Sequence, residues 1–229
     1  MQYLGGKSRQ AKHIAAILQA ARDPGDRYTE PFMGGASVLV RMDGERYASD
    51  SHEALITMWW AVQSGWRPPH ELSEADWRVL KDANDPADPM TAFAGFGCSF
   101  GGGWFKGYGR GSRVGGCPGK SHRSIARKAP ALDGARITHA DYRSTEPVGV
   151  IYCDPPYVGT TQYKGVEPFD GAEFWRYMRA WVDAGAKVFV SEYSAPDDWV
   201  CVWSQRAGGS QLAKSHHVDR LWAHESQGF

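Results

Sequence analysis

The run Val148-Gly149-Val150-Ile151-Tyr152-Cys153 ends directly on Asp154-Pro155-Pro156-Tyr157, and no other junction constrains the chain as much. A short β-branched stretch reads as a buried strand. In an open α/β sheet the carboxyl end of such a strand opens on the ligand crevice, so Asp154 stands where chemistry takes place. Consecutive prolines fix φ and carry no N–H, which leaves the backbone beside Asp154 offering acceptors rather than donors. A carboxylate, a rigid carbonyl and an aromatic ring together suit a planar amino group on a ring. Asp154 and the Pro155 region hold its hydrogens, and Tyr157 stacks on a base drawn out of its duplex. A plain strand-end turn is the alternative, since Asp and Pro are common turn residues. The rest of the chain weighs against it.

Elements on either side set the fold class. Ser8 to Ala21 carries Ile14, Ile17 and Leu18 at helical spacing and stops at Asp23-Pro24-Gly25. Arg27 to Phe32 reads as a strand, Met33-Gly34-Gly35-Ala36-Ser37 as a tight turn, and Val38 to Met42 as a helix. That order suits nucleotide-like ligands, because glycines let the backbone approach closely and a helix N-terminus offers unpaired N–H groups. Glu45 to Asp50 is a second strand ending in an acid, where Rossmann-type folds set a carboxylate on ribose hydroxyls. Asp50 also suits the N-cap of a helix from Ser51 to Trp60. Trp59, Trp60 and Trp77 read as core. Ala135 to Tyr142 is a further strand that brings Asp141 to its end. Phe174 to Ala184 is a helix, Lys187 to Ser191 a strand, and Val200 to Trp203 with Leu221 to Ala223 closing antiparallel strands. Alternating strands and helices predict an α/β fold.

A chain of 229 residues is enough for one well-packed domain with a small excursion. The 26 basic and 26 acidic residues cancel, so whole-chain charge argues neither for nucleic acid nor for a membrane. The charge is unevenly placed, however. From Pro89 to Leu132 there is no acid, yet Lys106, Arg110, Arg113, Lys120, Arg123, Arg127 and Lys128 fall there among many glycines. Trp104 and Tyr108 add aromatic faces, and basic side chains interleaved with rings suit a surface that tracks a nucleic-acid strand. A solvated loop is the competing reading. Cys98, Cys117, Cys153 and Cys201 form no Cys-x-x-Cys pair, which speaks against a zinc site or disulfide framework. No stretch approaches a membrane span, and a soluble, cytoplasmic protein without metal is expected.

Jointly, these motifs resemble the alpha group of S-adenosylmethionine-dependent DNA adenine methyltransferases, the Dam-like enzymes, especially their compact phage and prophage versions. Tyr3-Leu4-Gly5-Gly6-Lys7 is similar to the family's N-terminal motif and Glu30-Pro31-Phe32-Met33-Gly34-Gly35 to its cofactor loop. Asp154-Pro155-Pro156-Tyr157 is similar to its catalytic motif, and Val190-Ser191-Glu192-Tyr193-Ser194-Ala195-Pro196 to a later block. The resemblance implies a Rossmann-like methyltransferase fold, a mixed, mostly parallel sheet with helices on both faces. It also implies a catalytic domain over 1–83 and 133–229 and a small basic target-recognition insertion over 84–132. Ala36 stands at the last glycine of the family's Phe-x-Gly-x-Gly pattern and adds a methyl group to a tight turn.

By the same resemblance the cofactor is S-adenosyl-L-methionine. Lys7 would pair with its carboxylate, Tyr3, Glu30, Phe32, Gly34 and Gly35 would line its pocket, Asp50 would take its ribose and Asp141 its adenine. The implied reaction is direct methyl transfer to the exocyclic amine of a flipped adenine in double-stranded DNA, with no metal, membrane or obligate protein partner. Cys153 reads as strand packing rather than as a covalent nucleophile. The short insertion suggests a short or relaxed recognition sequence, since base-edge contacts specify while lysines and arginines on phosphates position. Transfer to cytosine's exocyclic amine, an RNA substrate and an inactive nucleic-acid-binding relative are the rivals. A partner restriction enzyme would be encoded elsewhere.

Overall fold

A computed structural model describes residues 1–111, 115–157, 169–206 and 218–228. Among them, seven strands make one sheet: β1 (Tyr28–Glu30), β2 (Arg46–Asp50), β3 (Ala135–His139), β4 (Val150–Cys153), β5 (Lys187–Ser191), β6 (Trp199–Arg206) and β7 (Val218–His224). The order is β3-β2-β1-β4-β5-β7-β6. The first five are parallel, while β7 runs antiparallel to β5 and β6 antiparallel to β7. The helices are α1 (Ala11–Ala21), α2 (Glu53–Gln63), α3 (Glu74–Ala83), α4 (Pro89–Ala92), α5 (Gly116–Lys128) and α6 (Gly171–Asp183).

Strand alternation divides the core in two. On β4, Val150 and Tyr152 join a cluster with Ile14 and Leu18 of α1 and Leu55 and Trp59 of α2. The intervening Ile151 and Cys153 join Phe174, Met178 and Trp181 of α6. Period-two side chains thus reach opposite faces, and helices cover both. The expected α/β architecture and the closing antiparallel pair are present. Strand order reverses between β1 and β4, whose register pairs Tyr28 with Val150. A crevice forms at such a switch point, outside the carboxyl ends of the strands.

Some local expectations change. After the glycine turn there is no α-helix but a single 3-10 turn, Leu39–Arg41, because Met42 is already extended and Gly44 takes a positive φ of 68°. His52, not Asp50, caps α2, its ring accepting from the Leu55 N–H. Trp59 and Trp77 are core as expected, whereas Trp60 is 44% exposed and hydrogen-bonds from its indole to the Ile137 carbonyl at the side of the sheet.

The basic segment is less of a loop than its glycines suggest. α4 runs into a π turn over Phe93–Gly97, and α5 spans thirteen residues. Phe93, Phe96, Cys98, Ile125 and Leu132 belong to the same core cluster as α1 and α2, so the segment is built into the main body. Among the described residues, no helix is long and apolar enough to cross a membrane.

Candidate active site

The two motifs that lie far apart in sequence meet at the switch point, one after β1 and one after β4. The turn after β1 is held from several sides. Met33 N–H donates to the Ser49 carbonyl at 3.0 Å and Ala36 N–H to the Met33 carbonyl at 2.7 Å. Gly34 N–H donates to Asp50 Oδ2 at 3.0 Å, and the Trp59 indole donates to the Gly34 carbonyl at 2.9 Å. Gly34 has φ 43°, and a methyl group there would lie 2.7 Å from the Tyr3 ring, so only glycine fits. Ala36 also sits at positive φ, 52°, fully buried. The family pattern's glycine is replaced at a position that wants glycine, and the surrounding bonds hold the strained residue in place.

Beneath this turn lies Glu30, 2% exposed, with its carboxylate receiving the Tyr28 hydroxyl at 2.9 Å. Burial lifts its pKa to about 8, with Asp154's charge adding to the rise and the Tyr28 hydrogen bond opposing it. Asp50 is pushed up to about 6 by burial, against hydrogen bonds from the His52 and Gly34 N–H groups. His52, enclosed between Phe96 and Trp104, is driven down to about 4 by burial and is neutral near pH 7.

Asp154 caps the end of β4. Lys7 Nζ reaches its Oδ1 at 2.7 Å and the Gly5 carbonyl at 3.2 Å, with Lys7 6% and Asp154 18% exposed. Burial raises the Asp154 pKa and the Lys7 charge pulls it back. The same ammonium lies 4.6 Å from the centre of the Tyr157 ring, and Tyr193 meets that ring edge to face at 4.5 Å. The ammonium expected to meet a ligand carboxylate is thus paired in this structure with Asp154. Around Asp154 the site thus presents one cation, acceptor oxygens and two rings packed edge to face.

Other predicted positions are distributed more widely. Tyr3 packs on Phe96 at 4.8 Å and over the glycine turn. Phe32 stacks on Tyr142 at 5.2 Å and meets Phe174 edge to face. Asp141 is half exposed at the end of β3, where it accepts from the Arg143 N–H and pairs with the Arg143 guanidinium at 3.1 Å. Pro155 is buried and Pro156 exposed.

The residues expected to face DNA separate into groups. Lys120, Arg123 and Arg127 are exposed on one side of α5, and Lys106 is exposed in the preceding loop. Arg110 is exposed and paired with Glu74 at 2.5 Å. Tyr108 is anchored through its hydroxyl to the Leu72 carbonyl, and Trp104 is packed on His52, Phe96 and Phe105. Lys128 turns inward and donates to the Gly35 carbonyl and to Ser37 Oγ. Arg113 lies outside the described residues. Phe100, 71% exposed, is the ring that the segment does present, and nothing in its sequence separates it from Trp104.

Sequence reasoning also misses Tyr193, Asp219 and Gln10. Tyr193 lies within a block similar to the family's, yet its sequence alone gives it no task. Gln10 Nε2 donates to Asp219 Oδ2 at 2.7 Å, and the Asp219 charge helps raise the pKa of Asp154 and Tyr157. Asp219 comes from β7, far along the chain, and only the sheet brings it near.

The donor set fits S-adenosylmethionine: a single lysine for one carboxylate, a buried acid at the end of β2 for hydroxyls, and a glycine turn pressed against an aromatic ring. No curated protein matches the chain. Among solved structures, tRNA (m1A58) methyltransferase TrmI from Aquifex aeolicus is similar over 98% of this chain and 70% of its own, at 10% identity and a TM-score of 0.42. The Escherichia coli protein yhhF, described as a methyltransferase, is similar over 94% and 86%, at 11% identity and a TM-score of 0.39. Residues 3–78, which hold Lys7, the glycine turn and Asp50, match the family of D12 class N6 adenine-specific DNA methyltransferases. Asp154-Pro155-Pro156-Tyr157 stands beside that matched region at the switch point of the sheet, so the crevice joins a segment similar to the D12 class N6 adenine-specific DNA methyltransferases with the carboxylate after β4.

Proposed function

We propose that the enzyme methylates the exocyclic amine of an adenine flipped out of double-stranded DNA, with Asp154 and the Pro155 carbonyl region holding the two amine hydrogens. The carrying observation is the placement of Asp154, a carboxylate at the strand end where β1 and β4 part. An exocyclic amine is a poor nucleophile because its lone pair is delocalised into the ring. Acceptors on both hydrogens draw that pair back toward nitrogen, and fixed geometry supplies the rest of the catalysis. Tyr157, backed edge-on by Tyr193, stacks on the extruded base. Bound S-adenosylmethionine supplies the electrophilic methyl group. Lys7, Tyr3, Glu30, Phe32, Gly34, Gly35, Asp50 and Asp141 form its pocket.

Residues 84–132 serve as the target-recognition part, placing Lys120, Arg123, Arg127 and Lys106 on phosphates and Phe100 against bases. A segment this small supports a short or relaxed recognition sequence. The expected setting is the cytoplasm of a bacterium or phage-infected cell. Unmethylated duplex DNA incubated with the protein and methyl-labelled S-adenosylmethionine should yield labelled N6-methyladenine on digestion to nucleosides. Asp154→Ala should lower that yield by about a thousandfold or more while cofactor affinity stays within a few-fold. Labelled cytosine, or turnover retained in the variant, would overturn the reading.

A further inference from the structure

We infer that Lys128 is a positioning residue for the cofactor loop, and that through it the loop is tied to the basic face of α5. The helix sorts its side chains by period. Lys120, Arg123 and Arg127 fall on the exposed side, while Ser121 and Ile125 are buried and Lys128 continues their inward row. Neighbours in sequence, Arg127 and Lys128 thus part company. Ser121 anchors the inner row by donating to the Gly97 carbonyl at 2.6 Å. At the carboxyl end of the helix Lys128 Nζ donates to the Gly35 carbonyl and, at 3.1 Å, to Ser37 Oγ.

Those two acceptors bracket Ala36, the residue held at φ 52°. Among the described residues, the other bonds that hold the turn come from β2, α2, the turn itself and the 3-10 turn after it, through Ser49, Asp50, Trp59, Met33 and Arg41. Lys128 is the bond that reaches it from the 84–132 segment. Without the ammonium the Gly35 carbonyl loses its side-chain donor and the strained turn loses one of its restraints. Because one helix carries both the restraint and the outward basic residues, a ligand that stiffens the turn also fixes the helix, and the effect is reciprocal. This coupling rests on the proposal that the outer face of α5 contacts DNA; the positioning role does not.

The test compares wild type with Lys128→Met, using S-adenosylhomocysteine as the cofactor probe and a labelled duplex for DNA, with thermal unfolding as the control for folding. S-adenosylhomocysteine affinity should fall about tenfold, and amide exchange over residues 34–37 should speed up in the ligand-free protein. In wild type, S-adenosylhomocysteine should tighten DNA binding by about fivefold or more. Lys128→Met should abolish that gain while leaving cofactor-free DNA affinity within about twofold of wild type. Lys128→Arg should restore part of the cofactor affinity, and Lys128→Gln serves if the methionine variant does not fold.

Unchanged S-adenosylhomocysteine affinity and unchanged exchange would overturn the positioning role. A coupling factor equal to wild type would overturn the link. A loss of cofactor-free DNA affinity matching that of Arg127→Gln would return Lys128 to the phosphate-binding set and overturn both. If Arg127→Gln and Lys120→Gln leave DNA affinity untouched, the reading of the α5 face fails while the effects on the turn still stand.

Discussion

Glu30 shows how burial alone sets a residue's chemistry. Its carboxyl group is driven to about 8, so below that pH the folded protein keeps it neutral, whereas the unfolded chain ionises it near the ordinary value of 4.5. Between those values the native state holds a proton that the unfolded state has released, and stability falls as pH rises. The loss begins near 4.5 and is complete once pH passes about 8. Glu30→Gln removes the titration, so its urea unfolding free energy should decline less than wild type's by at least about 1 kcal/mol across that window. Parallel declines in the two proteins would refute the assignment. Lys128, lowered to about 8 by burial with Arg41 and Arg127 adding to the fall, contributes the opposite slope at higher pH.

Among the elements, α5 separates positioning from packing most clearly. Its first turn, Gly116-Cys117-Pro118-Gly119, is poor in helix formers, and the helix stands because Pro118, Ser121 and Ile125 are buried. Its outer row points to solvent, where phosphates can reach it. Each phosphate that a side chain neutralises adds about 0.9 to the slope of log affinity against log salt. Replacing Lys120, Arg123 and Arg127 together by Gln should therefore flatten that slope by roughly 0.9 for every phosphate left without its cation, as read by fluorescence anisotropy across a salt series. An unchanged slope would move the DNA path elsewhere. Arg110 should matter less, since Glu74 already neutralises it. The sheet's switch point does the corresponding work for chemistry, because β1 and β4 lie side by side there and deliver the glycine turn and Asp154 to one crevice.

At the scale of the whole molecule, residues 84–132 share one core cluster with α1 and α2, so unfolding should be a single transition with no separate melting of that segment. Calorimetry should show one peak, and S-adenosylhomocysteine at about a hundred times its dissociation constant should stabilise that one transition by about 2.7 kcal/mol. Two peaks would mean that residues 84–132 fold apart. Much of this architecture was legible in the chain. Val150 to Cys153 and Lys187 to Ser191 are strands because buried β-branched runs admit little else, and Asp154 follows from its place after one of them. Chain order and residue type carry such local facts. Tertiary structure alone decided that the stretch after Ser37 makes one 3-10 turn, that His52 takes the cap offered to Asp50, and that Asp219 approaches Asp154 from β7. It also decided that Arg127 faces solvent while Lys128 holds the glycine turn after β1. A linear sequence shows the charge of both residues equally, and only a helix docked on its core gives adjacent lysine and arginine opposite surroundings.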